Sequence, residues 1–439
     1  MQGGNTAVVN QLSVKRSDYV SHLRLLNNSR VKPETLVAGL TSHCAAAVRG
    51  RRVLAIGDTV EFNHNHHAGR IRPGELGLGG SGWGLAYLMH PILVLDEADR
   101  FPLGFADIKF LTRDPDAPRY DDKKARKQPI EEKGAYRWIE GAQNAQQNLA
   151  EAEHVTFIFD READIYQLMQ RIPDDRCDLL VRTSHDRKLV GGGYLFGHID
   201  KLPACLEYQF DAPATRKRTA HTAKMTLRYG EVTLAKPGST KNDDKRLVTI
   251  RVVEAREVPE TVLLGEEPIH WILYTTLRLG SPLEALQVVE WYCIRWDIEQ
   301  FFRTMKKKGL DIEASQLETR HALLNLTVMA CEVALKTMQL MRARDGKLDV
   351  AAKIVFTQLQ LNLLAACLAY YEGKTAKQKN PYPKESLAHA TWIVARMGGW
   401  KGYGSEAPPG PITFRRGLQK LGNLEQAAQI LKGHDVCIE

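Results

Sequence analysis

Residues 154–160 read His154-Val-Thr-Phe-Ile-Phe-Asp160, an unbroken run of β-branched and aromatic residues that stops at an aspartate. Such a run predicts a strand buried on both faces of a sheet. A second run, Val53-Leu-Ala-Ile56, is followed by Gly57 and Asp58 and predicts a similar strand. Each predicted strand therefore delivers a carboxylate at its C-terminal end. Aspartates also follow strands as ordinary turn residues, so neither one alone indicates a site.

The patterns on either side of these strands predict an α/β fold with a mixed sheet flanked by helices. Polar, charged residues 114–133 predict an exposed connection, and alternating polar and apolar residues within 186–270 predict an inserted antiparallel β unit. A long helix is predicted over 282–309 and a shorter one over 135–152. We divide the chain into a short helical N-terminal region (1–50), a core (51–185 and 271–320), the β insertion (186–270) and a helical C-terminal region (321–439).

The amino-acid composition excludes several classes of protein but does not identify a binding partner. The chain has 439 residues and a net charge of +8, and from residue 301 onward it carries 20 Lys and Arg against 12 Asp and Glu. This basic excess suits a polyanion, although ribosomal contacts or solubility explain it as well. Seven scattered cysteines without a C-x-x-C pair favour a reducing compartment and argue against a zinc ribbon. No long apolar segment or signal-peptide core occurs, so we expect neither a membrane span nor secretion.

Four residues of the predicted helix 282–309 share one face. Tyr292, Arg295, Glu299 and Lys306 are separated by three, four and seven residues. At about 100° per residue, these steps keep all four on one side of a helix. A carboxylate between two cations, beside a phenol, can hold a metal ion and bind phosphate oxygens, whereas an exposed salt-bridged helix is the simpler interpretation. The two strand-end aspartates favour the first interpretation, because carboxylates at strand ends bind Mg²⁺ beside a helix carboxylate.

Three motifs in this order resemble the DDE transposases of the IS-four group, and most of all the Tn-five-like cut-and-paste enzymes. They are Ile56-Gly57-Asp58-Thr59, Asp160-Arg-Glu-Ala-Asp-Ile165, and the group's signature of Tyr292, Arg295, Glu299 and Lys306. The resemblance covers nearly the whole chain from about residue 35. It implies that the core is ribonuclease H-like and that the region 186–270 is the insertion characteristic of the group.

The resemblance also assigns roles to individual residues. Asp58, Asp160 and Glu299 become the catalytic, metal-binding triad, which holds two Mg²⁺ ions with Mn²⁺ able to substitute. Contacts to DNA are assigned to six residues: Tyr292, Arg295, Lys306, Arg303, Arg182 and Trp271. Two of these have plain structural alternatives. Trp271 fits a core aromatic residue, and Arg182 fits a surface residue of a strand.

The implied function is transposition of double-stranded DNA. The enzyme cleaves transposon ends through a hairpin intermediate, joins them to target DNA, and works as a homodimer in a synaptic complex. We expect it in the cytoplasm of a bacterial-type cell, associated with the nucleoid and not with a membrane. Only 57 residues precede Asp58, fewer than the end-recognition domain of this group usually needs. A shortened regulator that dimerises with the full-length enzyme and inhibits it is therefore the alternative.

The histidines His64, His66 and His67 invite comparison with a zinc or HNH-nuclease site. No second Cys or His pair lies nearby at metal-ligand spacing, and glycines follow the segment. We therefore interpret the three residues as part of a solvated hairpin tip rather than as metal ligands. Two further acids, Glu162 and Asp164, are predicted to orient the start of the helix that follows Asp160.

Overall fold

A computed structural model describes residues 6–13, 15–71, 73–79, 84–112, 128–215, 217–237, 247–306, 309–403 and 405–432. Most of the connection predicted over 114–133 lies outside these residues. The strands are β1 Arg52–Gly57, β2 Val60–Asn63, β3 Ala86–Asp96, β4 Pro102–Leu111, β5 His154–Phe159, β6 Cys177–Arg182, β7 Leu206–Ala212, β8 His221–Leu234, β9 Val248–Glu257 and β10 His270–Thr275. The helices are α1 Val9–Leu12, α2 Arg16–Leu26, α3 Pro33–Ala47, α4 Pro73–Leu76, α5 Tyr136–Asn148, α6 Tyr166–Arg171, α7 Leu195–Ile199, α8 Pro282–Ile294, α9 Trp296–Met305, α10 Arg320–Ala343, α11 Gln358–Tyr371, α12 Leu387–Met397 and α13 Pro411–Lys432.

The described strands form one mixed sheet. β2 and β1 both pair with one edge of β3, and β4 pairs with its other edge. From β1 the sheet continues in the order β5-β6-β10-β9-β8-β7. β5 runs parallel to β1 and to β6, whereas β1 runs antiparallel to β3 and β3 antiparallel to β4. The portion β4-β3-β1-β5-β6 has the strand order and directions of a ribonuclease H-like core. The predicted fold class, a mixed sheet flanked by helices, is confirmed.

The sheet is covered on both faces because alternate residues of its central strands point to opposite sides. On β1, Leu54 and Ile56 enter the apolar cluster that also contains residues of α8, α9 and α10. Val53 and Ala55 enter a second cluster, on the face covered by α5 and its buried Trp138. All four β1 residues are fully buried. The continuous apolar run that predicted this strand is the consequence of this two-sided burial.

The predicted β insertion continues the core sheet rather than forming a sheet of its own. β10 pairs antiparallel with both β6 and β9, and the insertion strands β9, β8 and β7 follow outward in that order. Met225 and Leu227 of β8 consequently share the apolar cluster of the core.

The long helix predicted over 282–309 is wrong as a single element. Two helices, α8 and α9, meet at Arg295, where the amide of Arg295 donates to Tyr292 O and the amide of Ile298 donates to Arg295 O. These i to i−3 bonds tighten one turn between the two helices. Lys306 follows α9 with extended dihedral angles, φ −88° and ψ −160°. The four signature residues therefore do not lie on one straight helix.

A third apolar cluster joins the C-terminal helices. Leu340 of α10, Trp392 of α12 and Phe414 of α13 are buried in it, together with Phe101 from the turn before β4. The helical C-terminal region predicted from the sequence thus packs against the β3–β4 end of the sheet. No helix in the described ranges is long and apolar enough to cross a membrane.

Gly57 is the position where the fold leaves least room beside the two aspartates. A Cβ atom there would lie 2.5 Å from Cε1 of Phe159, the residue before Asp160. We predict that Gly57→Ala lowers the free energy of unfolding by about 1–3 kcal/mol, because the Phe159 ring has to move within a filled core. Chemical denaturation followed by circular dichroism measures this change.

Gly39 in α3 is the matched control, since no atom lies within 4 Å of its added Cβ. Gly39→Ala should stabilise the protein by roughly 0.5–1 kcal/mol through its helix propensity. Equal effects of the two substitutions would contradict the crowding assigned to Gly57.

Candidate active site

The sheet register brings Asp58 and Asp160 to neighbouring positions. Ile56 of β1 pairs with Ile158 of β5, and each aspartate lies two residues further along its strand. Because β1 and β5 are parallel and adjacent, both carboxylates emerge at the same sheet edge.

A proline explains why Asp58 is released from the sheet. β1 and β2 pair with the same edge of β3 in one continuous register, from Gly57 opposite Ile92 to Val60 opposite Met89. In that register Pro91 lies opposite Asp58. A proline has no backbone N–H to donate, so the ladder is interrupted at this point and the aspartate lies in the gap between two strands.

Arg295 connects Asp58 to Glu299. Its Nη1 donates to Oδ2 of Asp58 at 2.9 Å, and its Nη2 donates to Oε1 of Glu299 at 2.7 Å. The side chains of Arg295 and Asp58 are only 13% and 18% exposed, so water screens this pair weakly. The tight turn at Arg295 thus brings a carboxylate of α9 to the carboxylate at the end of β1.

Backbone amides orient both aspartates. The amide of Thr59 donates to Oδ1 of Asp58 at 2.7 Å, and the amide of Glu162 donates to Oδ1 of Asp160 at 2.8 Å. Asp160 caps the short 3₁₀ turn Arg161–Ala163 in this way. Each carboxylate keeps one oxygen that these amides do not engage.

Burial raises the pKa of Asp58 to about 6. Arg295 and the Thr59 amide lower it, whereas the negative charges of Asp160 and Glu299 raise it further. Three carboxylates therefore act on one another electrostatically, and one guanidinium only partly neutralises them. Such an excess of negative charge, presented by hard oxygen donors, fits a divalent cation such as Mg²⁺.

The oxygens of the three carboxylates are not gathered around one point in this structure. Within the described residues, their oxygens do not form a group whose members all lie within 4.8 Å of one another. The Arg295 guanidinium lies between Asp58 and Glu299 instead. A cation shared by the three carboxylates thus requires Arg295 to give up at least one of its two ion pairs.

Arg137 of α5 joins the two aspartate turns, and sequence reasoning missed it. Its Nε donates to Oγ1 of Thr59 at 3.0 Å and its Nη2 donates to Oε2 of Glu162 at 2.5 Å. The same Thr59 hydroxyl lies 2.9 Å from Nδ1 of His90. Arg137 therefore holds the residue after Asp58 and the second residue after Asp160 together. The sequence carried no signal for this role, because Arg137 lies about 100° around α5 from the apolar face that contains Trp138.

Asp164, the last acid of the Asp160 motif, anchors the loop that follows β6. Asp164 is buried, and its carboxylate accepts from Nε of Arg187 at 2.8 Å, from Oγ1 of Thr183 at 3.0 Å and from the amide of Ser184 at 2.8 Å. Burial raises the pKa of Asp164, but Arg187 and these hydrogen bonds outweigh it and lower the pKa below its usual value. With all these partners Asp164 fixes the chain after β6 rather than facing a ligand.

Three predicted DNA-contacting residues meet beside Arg295. The Tyr292 ring is nearly buried, with its centroid 6.4 Å from that of Trp271 and 6.0 Å from Cζ of Arg295. Burial raises the pKa of Tyr292, and the nearby charges of Arg295 and Arg182 oppose this change. Trp271 also packs edge-to-face on Phe210 of the insertion, so it contributes to packing whatever else it contacts.

The other two predicted DNA-contacting residues, Lys306 and Arg303, do not belong to this group around Arg295. Lys306 lies over the Phe62 ring and pairs with Glu313 at 3.3 Å, on the β2 side of the site. Arg303 is exposed and lines a cavity of about 460 Å³ between α9 and α10, together with Arg342 and Arg344. Lys306 therefore lies outside α9, whereas Arg303 lies one turn after Glu299 on the same helix.

Two of the three histidines predicted at a solvated hairpin tip are buried. His64 and His67 are fully buried, and only His66 is exposed. His64 stacks on Tyr87, and both His66 and His67 contact the carbonyl of Ser315. The solvated-tip prediction is wrong because the short 3₁₀ turn Asn65–His67 folds back onto the chain that follows α9.

Two comparisons with known proteins found similarities to this chain. Residues 132–333 match the family model described as transposase DDE domain. The matched segment contains Asp160, Arg295 and Glu299 and begins after Asp58, and the match supports a DNA transposase. The cryo-EM structure of a piggyBac transposase synaptic complex with hairpin DNA is similar at a TM-score of 0.35 and 6% identity. That similarity covers 68% of this chain and 48% of the other, so the chain spans about half the length of that transposase.

The pKa of Asp58 gives a prediction about stability. Its folded-state pKa of about 6 exceeds the ordinary value of 3.8, so the folded protein binds this proton more tightly than the unfolded chain. Ionised Asp58 therefore destabilises the fold fully above about pH 6, and the effect disappears as the pH falls toward 3.8. We predict that Asp58→Asn is more stable than wild type by roughly 1–3 kcal/mol at pH 7.5 without divalent cations, and that the difference narrows below pH 6.

Urea denaturation at pH 7.5 and pH 5, with a chelator present, measures this difference. Asp175→Asn, at an exposed carboxylate, is the matched control and should change stability little at either pH. A destabilised Asp58→Asn at pH 7.5 would show that the ion pair with Arg295 outweighs burial.

Proposed function

We propose that the chain is a DNA transposase of the IS-four group, a Tn-five-like cut-and-paste enzyme that cleaves transposon ends and joins them to target DNA. One observation carries this proposal. Two carboxylates at the ends of adjacent parallel strands and a third on α9 act on one another around the single guanidinium of Arg295. The transposase DDE domain match and the signature spacing support the same reaction class.

The acids of the site are its metal ligands in this proposal. Asp58, Asp160 and Glu299 would hold two Mg²⁺ ions, for which Mn²⁺ can substitute. Bound divalent ions activate an attacking oxygen and stabilise the departing one in phosphoryl transfer. The carboxylates bring the negative charge that such ions require, and the orienting amides of Thr59 and Glu162 keep two of them in fixed positions.

Arg295 would change partners when DNA binds. Its planar fork binds two carboxylates in the free protein, and the same geometry suits two oxygens of a phosphate. With Asp58 and Glu299 holding a divalent cation, the guanidinium of Arg295 would be free to bind the scissile phosphate. Tyr292 lies against this guanidinium and can donate its hydroxyl to a neighbouring phosphate.

The proposed reaction is a series of phosphoryl transfers. Water attacks the phosphorus at a transposon end, the P–O3′ bond breaks, and a 3′-hydroxyl and a 5′-phosphate result. That 3′-hydroxyl attacks the opposite strand and forms a hairpin, a second water opens it, and the 3′-hydroxyl then joins target DNA. Trp271 lies beside Tyr292, where an aromatic face can stack on a base displaced by hairpin formation.

DNA would extend from this site along basic side chains. The pKa of Tyr292 already responds to Arg182 on one side, and Arg303, Arg342 and Arg344 line one cavity on the other. Phosphate contacts by arginines of this kind give affinity that falls with salt. Lys306, which follows α9, is a further basic side chain proposed to contact DNA.

The remaining regions receive roles by the same resemblance. Residues 1–50 would contribute to recognition of transposon ends, 51–185 and 271–320 form the catalytic unit, and 186–270 is the insertion. Residues 321–439 would make the contacts of a homodimer in the synaptic complex. The proposed setting is the nucleoid of a bacterial-type cell.

A cleavage assay tests this function. The full chain is incubated with Mg²⁺ and a duplex that carries the inverted repeats flanking its own gene, and nicked and hairpin products are resolved on denaturing gels. We predict that Glu299→Gln lowers the cleavage rate by about 10³-fold or more, because a metal-binding carboxylate and its ion pair are lost together.

Glu290→Gln is the matched control, since Glu290 lies exposed on α8 and accepts only from Gln287 at 3.2 Å among its described hydrogen bonds. It should cleave like the wild type. Cleavage by Glu299→Gln at the wild-type rate would contradict the triad. An inactive wild type that still dimerises with a longer version and inhibits it would favour the regulator instead.

A further inference from the structure

His64, His66 and His67 form a compact group outside the carboxylate site, here called the histidine cluster. One ring nitrogen from each lies within 4.8 Å of those of the other two. Among the described residues it is the one group of three His, Cys, Asp or Glu side chains that is this close. The 3₁₀ turn Asn65–His67 after β2 gathers the rings on one side of the chain.

The cluster contains buried nitrogens without partners. Both ring nitrogens of His64 and Nδ1 of His67 are buried, and none has a hydrogen-bond partner in the described part of the chain. A buried polar atom without a hydrogen-bond partner destabilises a fold. A fold keeps such atoms where something else satisfies them, and a lone pair on a neutral imidazole is satisfied by a metal ion.

The His64 ring is neutral and held in place, as ligation requires. Burial lowers the pKa of His64 to about 3, and the neighbouring histidines lower it further. The His64 ring stacks on that of Tyr87 with centroids 5.5 Å apart and an interplanar angle of 14°. Tyr87 is itself fully buried, so His64 has little freedom to turn away.

A backbone carbonyl completes the arrangement. Nε2 of His66 lies 3.1 Å and Nε2 of His67 lies 2.7 Å from the oxygen of Ser315. Metal-binding histidines commonly donate one ring N–H to a carbonyl while the other nitrogen binds the ion. With Nε2–H directed at Ser315, Nδ1 of each ring carries the lone pair, and Nδ1 of His67 is one of the unpartnered atoms.

We propose that His64, His66 and His67 bind one divalent transition-metal ion of the Zn²⁺ class. Three imidazoles suit Zn²⁺, whereas the oxygen donors of the carboxylate site suit Mg²⁺, so the two sites select different ions. Three protein ligands leave a further position for water or a carbonyl oxygen.

The ion would fasten β2 to the segment that follows α9. Next to the cluster, the amide of Asn63 donates to Oε1 of Glu313 at 3.0 Å, and Glu313 pairs with Lys306. A metal ion at the cluster would therefore strengthen the contact that positions Lys306. The proposal does not depend on DNA cleavage, since the ligands and the carbonyl belong to the folded chain.

Metal counting on the full chain tests this site. Protein stripped with a chelator is dialysed against Zn²⁺ in excess Mg²⁺, which occupies the carboxylates, and bound zinc is measured by mass spectrometry and titration calorimetry. We predict about one Zn²⁺ per chain and a rise in melting temperature on binding. Co²⁺ in place of Zn²⁺ should give visible absorption bands of nitrogen coordination.

Variants identify the ligands. His66→Gln retains the fold because His66 is exposed, and it should weaken Zn²⁺ binding by at least about tenfold. His43→Gln, at an exposed histidine of α3, and Asp58→Asn should leave zinc binding unchanged. The proposal is overturned if the wild type binds no zinc under these conditions, or if His66→Gln binds it as tightly as the wild type.

Discussion

The ion pairs of Arg295 with Asp58 and Glu299 are the contact on which the arrangement of the site depends. They join the end of a sheet strand to a helix 237 and more residues away in sequence. The guanidinium is mostly buried, so its charge needs close partners. Through these two pairs the guanidinium holds α9, which carries Glu299, against the end of β1.

The sheet also determines where Asp58 and Asp160 lie. Pro91 interrupts the ladder opposite Asp58, and Gly57 leaves space for Phe159 next to Asp160. Arg137 then connects the turns that follow the two aspartates. Each of these features involves residues close to an aspartate rather than the aspartate carboxylate itself. The acids can therefore exchange partners while their strands stay in place.

The sequence predicted those parts of the molecule that depend on local pattern. Continuous apolar runs identified the strands before Asp58 and Asp160, because a strand buried on both faces has no polar alternation. It could not predict the turn at Arg295, since helix spacing continues unchanged through it and the break depends on where Asp58 lies in space. The roles of Asp58, Asp160 and Glu299 as metal ligands remain predictions that geometry supports.

The sequence did not indicate which of its polar residues are buried. His64 and His67 lie in a polar, histidine-rich segment typical of a surface loop, yet Ser315 and Tyr87 enclose them. Arg137 was missed for a related reason, because its partners Thr59 and Glu162 come from two other segments of the chain. Contacts between distant segments leave no periodic signal in any one of them.

We propose that Arg295 occupies the position between Asp58 and Glu299 that a divalent cation would take. Anomalous diffraction from crystals soaked in Mn²⁺ tests this most directly. We predict manganese bound by oxygens of Asp58, Asp160 and Glu299, with Arg295 no longer bridging Asp58 and Glu299. Manganese bound away from these carboxylates, with both ion pairs of Arg295 intact, would contradict it.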